Sequence, residues 1–287
     1  MFNSSPLTDP ETVAANRAEA AAGAAGVRIE PVGDPHRLRV VSDMFGEVWA
    51  APPGQNPLAS DVLRAIAHSG GAVHAAYGPS GLAGAAAAVF GPPREHAVYS
   101  MIAAAPHADR GVGFALKLAQ RAWALGLGAD SIVWTFDPLV RRNARFNLVK
   151  LGAVAREYIE DFYGPLDDGV NGGDQTDRLT VEWSLTGERT ERAAQGRQAG
   201  AEGPDPAAVE LDAALAPDGL PYLARDGESL WCRVPEDIVA VRRADAGMAA
   251  RWRMAVREVM IPALDGGLTV TAMSRDGWYH LTREEKS

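Results

Sequence analysis

The pattern of hydrophobic and polar positions at the start of the chain switches from a strand period to a helix period. Alternation over Val27–Val32 predicts a first strand. Helical spacing of apolar residues predicts a helix that starts at Asp34-Pro35 and runs to Trp49. Ser60 is predicted to cap a second helix that ends at Ile66.

Three strands are predicted after this pair of helices. Ala72–Tyr77 and Leu82–Phe90 flank Gly78–Gly81, which is a hairpin signature. Pro92-Pro93 marks another turn, and His96–Ala104 is the next predicted strand.

A helix, a strand and a second helix follow. The glycine turn at Gly111–Gly113 opens the first helix, Ser131–Phe136 is the strand, and Arg141–Leu151 is the helix, closed by Gly152. Two more strands are predicted on either side of a polar loop, at Val154–Phe162 and Leu179–Leu185. The predicted order is therefore β-α-α-β-β-β-α-β-α-β-β.

Composition divides the chain into further parts. Residues 1–26 are rich in Ala, Ser and Glu and are expected to be flexible, as a frayed helix or as disordered chain. Residues 27–185 carry the elements above as one domain. Residues 186–218 are rich in Gly, Ala, Glu, Arg and Pro and predict a linker.

Residues 219–287 predict a small β-α-β-β segment. Ser229–Val234 is a strand candidate, and Asp245 is a candidate cap for a helix through Ile261. A hairpin is predicted from Leu268–Ser274 and Trp278–Thr282. We expect this segment to pack on the first domain or to complete the sheet of a partner subunit.

Bulk properties exclude several classes of protein. A net charge of −9 argues against a general nucleic-acid binder. The single cysteine, Cys232, excludes a disulfide framework, and no His, Asp or Glu cluster has metal-ligand spacing, so we predict no metal. Leu82–Phe90, the longest apolar run, is nine residues long and too short to cross a bilayer. Without a signal-like segment over Met1–Pro10, a cytoplasmic location is expected.

The Gly111–Gly113 turn is a candidate anion site. Glycines let a backbone approach a ligand closely, and the first turn of a helix presents amides at the positive end of its dipole. A pyrophosphate suits such a site. The turn lacks the Gly-Lys-Ser/Thr of a P-loop, and Leu116 stands where a GxGxxG turn needs its third glycine.

The turn resembles the Gln/Arg-x-x-Gly-x-Gly/Ala motif of the GNAT family of acyl-CoA N-acyltransferases. Residues 110–115, Arg-Gly-Val-Gly-Phe-Ala, match it literally. If the helices are aligned instead, Ala108 falls where Gln or Arg is expected, which leaves the role of the Arg110 side chain open. Further motifs are similar to a branch described as predicted GNAT acetyltransferases: Trp134–Leu139, Asn143-Ala144, Phe146-Asn147, Lys150–Gly152 and Asp177-Arg178. The likeness extends to Val234–Ile238 and Trp252-Arg253 and covers roughly residues 27–185 and 228–283.

The resemblance implies an α/β (α+β) fold, with a mixed central sheet flanked by helices, and acetyl-CoA or another acyl-CoA as co-substrate. The strand before the glycine turn would hold the pantetheine arm as a neighbouring strand would. The cofactor-binding residues that the resemblance implies are Met101, Ile102, Ala103, Ala104, Arg110, Gly111, Val112, Gly113, Phe114, Ala115, Asn143 and Asn147.

The sequence offers several candidates for the acid and for the base. Many members of the family place a Tyr where this chain has Leu148, so Tyr158 and Tyr163 are the remaining candidates for the acid, unless water transfers the proton. For each tyrosine the alternative is a ring in the core with its hydroxyl at the surface. Three residues could act as the base, none at a diagnostic spacing: Glu95, His96 and His74.

A polar loop is the candidate site for the acyl acceptor. Asn171, Asp177 and Arg178 are its predicted substrate-binding residues, with Arg178 placed to bind a carboxylate. The alternative is a solvated loop in which Asp177 and Arg178 pair with each other. Arg253 and Arg257 lie on one side of a predicted helix, either as a solvated face or as a site for a carboxylate or a cofactor phosphate.

These features predict an N-acyltransferase that moves an acetyl group, or another acyl group such as succinyl, to the amine of a small molecule or an amino acid. The alternatives are a non-catalytic acyl-CoA-binding or regulatory protein and a structural partner protein with a vestigial site. We expect no nucleic-acid or membrane partner, and a homodimer is conceivable.

Overall fold

The computed structural model of this chain describes residues 9–106, 111–166, 169, 172–197, 202–204 and 215–283. The chain divides into two compact units. The first comprises Met1–Val133 and Ser184–Gly187, and the second comprises Trp134–Trp183 and Glu188–Ser287.

The first unit contains a sheet with helices on both of its faces. Its elements are α1 (Pro10–Ala24), β1 (Arg28–Pro31), α2 (Pro35–Trp49), α3 (Ser60–His68), β2 (Ala72–Gly78), β3 (Gly81–Phe90), β4 (Ala97–Ala104), α4 (Val112–Gly126) and the first half of β5 (Ser131–Phe136). The strand order is β1-β2-β3-β4-β5. Neighbours are antiparallel except β4 and β5, which are parallel.

The alanine-rich strand β3 is apolar throughout because both of its faces are covered. Ala85 and Ala87 belong to the core that α2 and α3 form with the sheet. Ala86 belongs to a second core, which contains Val112 and Leu116 of α4. Strands that are buried on both faces are expected to show continuous apolar runs instead of alternation.

The N-terminal segment contributes a helix, which is one of the two alternatives expected from its composition. Helix α1 packs against α4. The two helices approach closely at Gly126, where an added Cβ would lie 2.7 Å from the Glu11 Oε1 atom.

The second unit is built on an antiparallel sheet. Its elements, after the end of β5, are α5 (Arg141–Ala144), a π-helix (Arg145–Lys150), β6 (Val154–Ile159), β7 (Arg178–Ser184), α6 (Glu188–Ala194), β8 (Leu223–Asp226), β9 (Ser229–Arg233), α7 (Ile238–Ala244), α8 (Ala246–Asp265), β10 (Thr269–Met273) and β11 (Trp278–Thr282). The strand order is β7-β6-β10-β11-β9-β8. Strand β10 joins β6 through Val270 and Ala155, so the C-terminal hairpin continues the sheet.

The expected α/β class with mixed pairing and flanking helices is confirmed, as are both predicted hairpins. Two predicted helix caps are also confirmed. The Asp34 side chain accepts from the Arg37 amide at 3.0 Å, and Asp245 accepts from the Met248 amide at 2.9 Å. No described helix is both long enough and apolar enough to cross a membrane.

One local prediction, the cap of the second helix, is wrong, and others are incomplete. Ser60 is the first helical residue of α3, and the cap position belongs to Ala59, which makes no side-chain cap bond. The helix predicted over Arg141–Leu151 is present over Arg141–Lys150, as a short α-helix that widens into the π-helix. The predicted linker contains α6, and the prediction also missed β8 and α7, which are both short.

Candidate functional site

Strand β4 in the first unit has one backbone edge that is only partly used. Its pairing with β5 extends from Ala97 to Tyr99, opposite Ser131 to Val133. Beyond Tyr99, described pairing continues only on the other side, with β3. The edge from Ser100 to Ala104 is therefore open to an extended ligand, as a strand edge is to an added strand.

A β-bulge lies at the start of this open edge. Ala88 is opposite Ser100 and Ala87 is opposite Ile102, so Met101 is the extra residue on β4. A bulge breaks the ladder locally and redirects the backbone and side chains of its strand. Met101 is 36% exposed, whereas Ala104 is buried. The structure thus places all four predicted pantetheine contacts, Met101, Ile102, Ala103 and Ala104, on the bulged half of β4.

The end of β4 and the start of α4 meet over Gly84 of β3. A Cβ at Gly84 would lie 2.7 Å from the Ala104 carbonyl oxygen and 3.0 Å from a Val112 methyl carbon. Gly111 is the N-cap of α4 and has φ +82°, a conformation that favours glycine. The α4 amino terminus is therefore adjacent to the open edge within the same unit.

The predicted glycine-turn residues occupy the first turn of α4. Gly111 caps the helix, and Val112, Gly113, Phe114 and Ala115 are its first residues. The Ala115 amide bonds to the Gly111 carbonyl at 3.0 Å. The amides of Val112, Gly113 and Phe114 come before it in the first turn, where a helix offers no carbonyl acceptor of its own. Arg110 lies outside the described residues.

A buried polar group lies under the bulge. Lys117 of α4 donates to the Ser100 hydroxyl at 2.9 Å, and this hydroxyl donates to the Gln120 side-chain oxygen at 3.0 Å. Burial lowers the pKa of Lys117 to about 7. Periodicity alone did not single out Lys117, because an amphipathic helix normally has its lysines on the solvated face.

The three candidate bases of the first unit differ in their surroundings. His74 is 6% exposed and packs edge-on against Trp123, and burial lowers its pKa to about 4. Its Nδ1 atom has no hydrogen-bond partner within the described chain. Glu95 and His96 are exposed. These surroundings favour a structural role for His74.

The second unit contains a buried cluster of two carboxylates and two guanidinium groups. Arg242 of α7 binds Asp137 at 2.5 Å and Asp174 at 3.0 Å. Arg253 of α8 binds the same pair, at 3.3 Å and 2.7 Å. Burial would raise the pKa of Asp137, but the charges of Arg253 and Arg242 outweigh it, so the pKa is lowered.

The expectation of a solvated arginine face on α8 is therefore wrong. Arg253 is 1% exposed and Arg257 binds Asp177, so the carboxylates that they hold belong to this chain. Their partners lie 79 or more positions away along the chain, and local periodicity carries no information about such pairing.

Asp177 is held in a hydrogen-bond network of its own. It is fully buried, it accepts two bonds from Arg257, and the Tyr158 hydroxyl donates to it at 2.6 Å. Burial and the Asp177 charge raise the pKa of Tyr158 well above its usual value. The predicted pairing of Asp177 with Arg178 is not formed, because Arg178 reaches only the Asp177 main-chain oxygen, at 2.9 Å.

Arg178 and Tyr163 lie together at the base of the polar loop. The Arg178 guanidinium carbon is 5.0 Å from the centre of the Tyr163 ring. Tyr163 is 48% exposed, and its amide donates to the Thr176 hydroxyl at 2.9 Å, which fixes its backbone. Asn171, the third predicted substrate residue, lies outside the described residues.

The two predicted asparagines have different surroundings. Asn143 is exposed at the end of α5. Asn147 is 3% exposed, and its side-chain oxygen accepts from the Trp134 indole at 3.3 Å. Leu148 is fully buried. The π-helix that carries Asn147 and Leu148 is a rare element often found at functional sites.

Among the residues that the structure describes, no group of three or more His, Cys, Asp or Glu side chains is arranged to hold a metal ion. The prediction that the protein uses no metal stays a prediction.

Comparisons with known proteins give structural likenesses. No family profile matches the sequence, and no curated protein matches it. The structure is similar to an acetyltransferase of the GNAT family from Streptococcus pneumoniae (TM-score 0.44, 13% identity, 54% of this chain and 97% of that chain). It is also similar to an N-acetyltransferase from Staphylococcus aureus Mu50 (TM-score 0.45, 13% identity, 56% and 99%). A phosphinothricin acetyltransferase from Sinorhizobium meliloti, solved in complex with acetyl-CoA, gives TM-score 0.45 at 17% identity, over 56% and 89%.

Proposed function

We propose that this chain is a GNAT-type N-acyltransferase that moves an acetyl group, or another acyl group such as succinyl, from acyl-CoA to the amine of a small molecule or an amino acid. One observation carries the proposal: β4 has a bulge at Met101 and an open backbone edge, and this edge ends beside the glycine-capped start of α4. A peptide-like arm and a pyrophosphate are the two parts of CoA that such surfaces suit.

The residues on this edge would polarise the acyl group. Acyl-CoA supplies a thioester carbonyl, and a backbone amide of the bulged strand is a fixed donor for its oxygen. The first-turn amides of α4, at Val112 and Gly113, would hold the pyrophosphate. Gly111 takes a left-handed conformation that allows the chain to turn into this helix.

The acid is better assigned to Tyr163 than to Tyr158. Tyr158 already donates its proton to the buried Asp177, and its raised pKa disfavours release of that proton. Tyr163 is half exposed, so its hydroxyl is accessible. Asp177 is fully buried and bound by Arg257, so we assign it to holding this region together and leave substrate contact to Arg178.

We also propose that the C-terminal segment is part of the acyltransferase fold and not the complement of a partner's sheet. The pairing of β10 with β6 and the bonds of α8 to Asp174 and Asp177 support this alternative. Homodimer formation and a cytoplasmic location remain predictions.

Release of free thiol from acetyl-CoA, measured with a panel of amines, tests the proposal. An N-acyltransferase releases thiol only when an accepted amine is present. The second candidate, a non-catalytic acyl-CoA-binding protein, is favoured by the buried Leu148 in place of a Tyr. It predicts CoA binding without thiol release for every amine in the panel.

A further inference from the structure

The carboxylate next to Arg178 in the sequence is bound by another arginine. Arg257 donates to Asp177 from Nε at 2.9 Å and from Nη2 at 2.7 Å, and it also binds Glu160 at 2.9 Å. The Tyr158 hydroxyl also donates a hydrogen bond to the Asp177 carboxylate. Among the described residues, the Arg178 side chain bonds to the Asp177 main-chain oxygen and not to its carboxylate.

The other two buried carboxylates of this region are also bound. Asp137 and Asp174 each accept from both Arg242 and Arg253. The electrostatic influence of Asp137, Arg242 and Arg253 reaches Arg178. With Asp177 and Glu160 on Arg257, four carboxylates face three arginines before Arg178 is counted, and Arg178 makes the group neutral.

The Arg178 guanidinium keeps most of its donors. A guanidinium has five N–H groups, and within the described residues only one hydrogen bond of this side chain is formed, from Nη1 to the Asp177 main-chain oxygen. The flat face of the group lies over the Tyr163 ring, which uses no N–H donor. Several donors of a partly buried arginine are left for a ligand.

The electrostatic environment of Arg178 favours an anion. Burial lowers its pKa, and the charges of Arg253 and Arg242 act in the same direction, against an opposing contribution from Asp137. An anion bound at this guanidinium would offset both effects.

We infer that Arg178, held against the Tyr163 ring, binds a carboxylate of one of the two reactants and thereby selects the substrate. The inference rests on the proposed function. A planar carboxylate matches the guanidinium fork, and charge-assisted pairs of this kind are roughly twice as strong as neutral hydrogen bonds. The carboxylate has two possible sources, the acceptor, as in an amino acid, and the acyl group, as in a succinyl thioester.

The experiment compares matched reactants in the wild type and in Arg178→Gln. In the acceptor arm, acetyl-CoA is offered with amino acids and with their amides. In the acyl arm, succinyl-CoA is compared with butyryl-CoA at a fixed amine. Arg178→Lys keeps the charge and loses the fork, and Arg251→Gln removes an arginine whose side chain is 61% exposed, as the matched control. Melting temperatures confirm that each variant folds.

We expect the KM for the carboxylate-bearing reactant to rise about 10- to 100-fold in Arg178→Gln. The KM for its uncharged counterpart should stay within about twofold, and Arg251→Gln should resemble the wild type. The arm in which selectivity falls identifies the source of the carboxylate. In each arm, the KM for the carboxylate-bearing reactant is divided by the KM for its uncharged counterpart. If this ratio is the same in the wild type and in Arg178→Gln in both arms, the inference is overturned, while the acyltransferase stays in place.

Direct calorimetry with the amino acids and with free succinate provides a readout that does not depend on turnover. Binding of one of these carboxylates that is lost in Arg178→Gln supports the site, even if no thiol is released in any assay. Carboxylate binding without thiol release in any assay would contradict the proposed function but not the site at Arg178. A chain that turns over no substrate and binds none of these carboxylates contradicts both.

Discussion

Arg257 and Asp177, which are 80 positions apart in the sequence, are joined by two side-chain hydrogen bonds of 2.9 Å and 2.7 Å. Asp177 is fully buried and directly precedes β7, and Arg257 lies on α8. This pair connects the C-terminal helix to the strand that carries Arg178. The substrate-binding proposal for Arg178 therefore depends on a residue of the C-terminal segment.

Loss of Arg257 should strongly destabilise the protein. Arg257→Gln leaves the buried Asp177 charge with only the Tyr158 hydroxyl and backbone donors. Removal of one member of a buried ion pair typically costs about 3–5 kcal/mol. Urea unfolding measures the free energy, and Arg251→Gln, at an exposed position on the same helix, should change it by less than about 0.5 kcal/mol. Equal effects of the two substitutions would show that the pair is not important for stability.

The paired aspartates should make stability depend on acidic pH. The pKa values of Asp137 and Asp177 are lowered in the folded protein. A lowered folded pKa gives stability that is present above the unfolded value and is lost as the pH falls through the folded value. We expect the free energy of unfolding to decrease from about pH 5 toward pH 3. The decrease should be shallower in Arg257→Gln, since the pKa of Asp177 rises there, and an equal slope in the two proteins would contradict this origin.

His74 should destabilise the fold in mildly acidic solution. Its pKa is lowered from 6.5 to about 4, so between these values the unfolded chain binds a proton that the folded chain does not. Stability should fall by about 3 kcal/mol as the pH decreases through this window. His74→Phe should remove that dependence, whereas His36→Gln, at an exposed position, should keep it. An NMR titration of the His74 ring with a midpoint near 6.5 would refute the prediction.

The hydroxyl of Tyr163 should matter for turnover. Tyr163→Phe keeps the ring that supports Arg178 and removes only the candidate acid. A general acid contributes about 10²–10⁴-fold, so kcat should fall by at least about tenfold, with little change in KM. Tyr158→Phe serves as the comparison, and it should lower the melting temperature because Asp177 loses a hydrogen bond. An unchanged kcat in Tyr163→Phe would remove this residue from the mechanism.

The local part of the fold could be predicted from the sequence. Strand β5 was predicted with its observed bounds, Ser131–Phe136, and both hairpins were predicted from glycine turns between apolar runs. Such signals extend over a few residues and depend on a left-handed backbone conformation, which Gly81 and Gly277 adopt. Short elements such as β8 and α7 were missed, because four to seven residues contain too little of either period.

The arginine cluster could not be predicted in the same way. Arg242 and Arg253 bind Asp137, which lies more than 100 positions away in the sequence. A sequence presents each of these residues as a charge on a helix or after a strand, and charged positions are normally solvated. These residues meet because the fold of the second unit places α7 and α8 beside Asp137, which follows β5.

The proposal as a whole depends most directly on whether the chain binds CoA. We would titrate the purified protein with CoA and acetyl-CoA by calorimetry, alongside Gly113→Glu, which puts a carboxylate in the first turn of α4. Gly113→Ala controls for the loss of glycine, and Leu127→Glu adds the same charge at an exposed position at the other end of α4. We predict micromolar binding that Gly113→Glu abolishes and that both controls retain. No binding by the wild type would contradict the acyltransferase assignment.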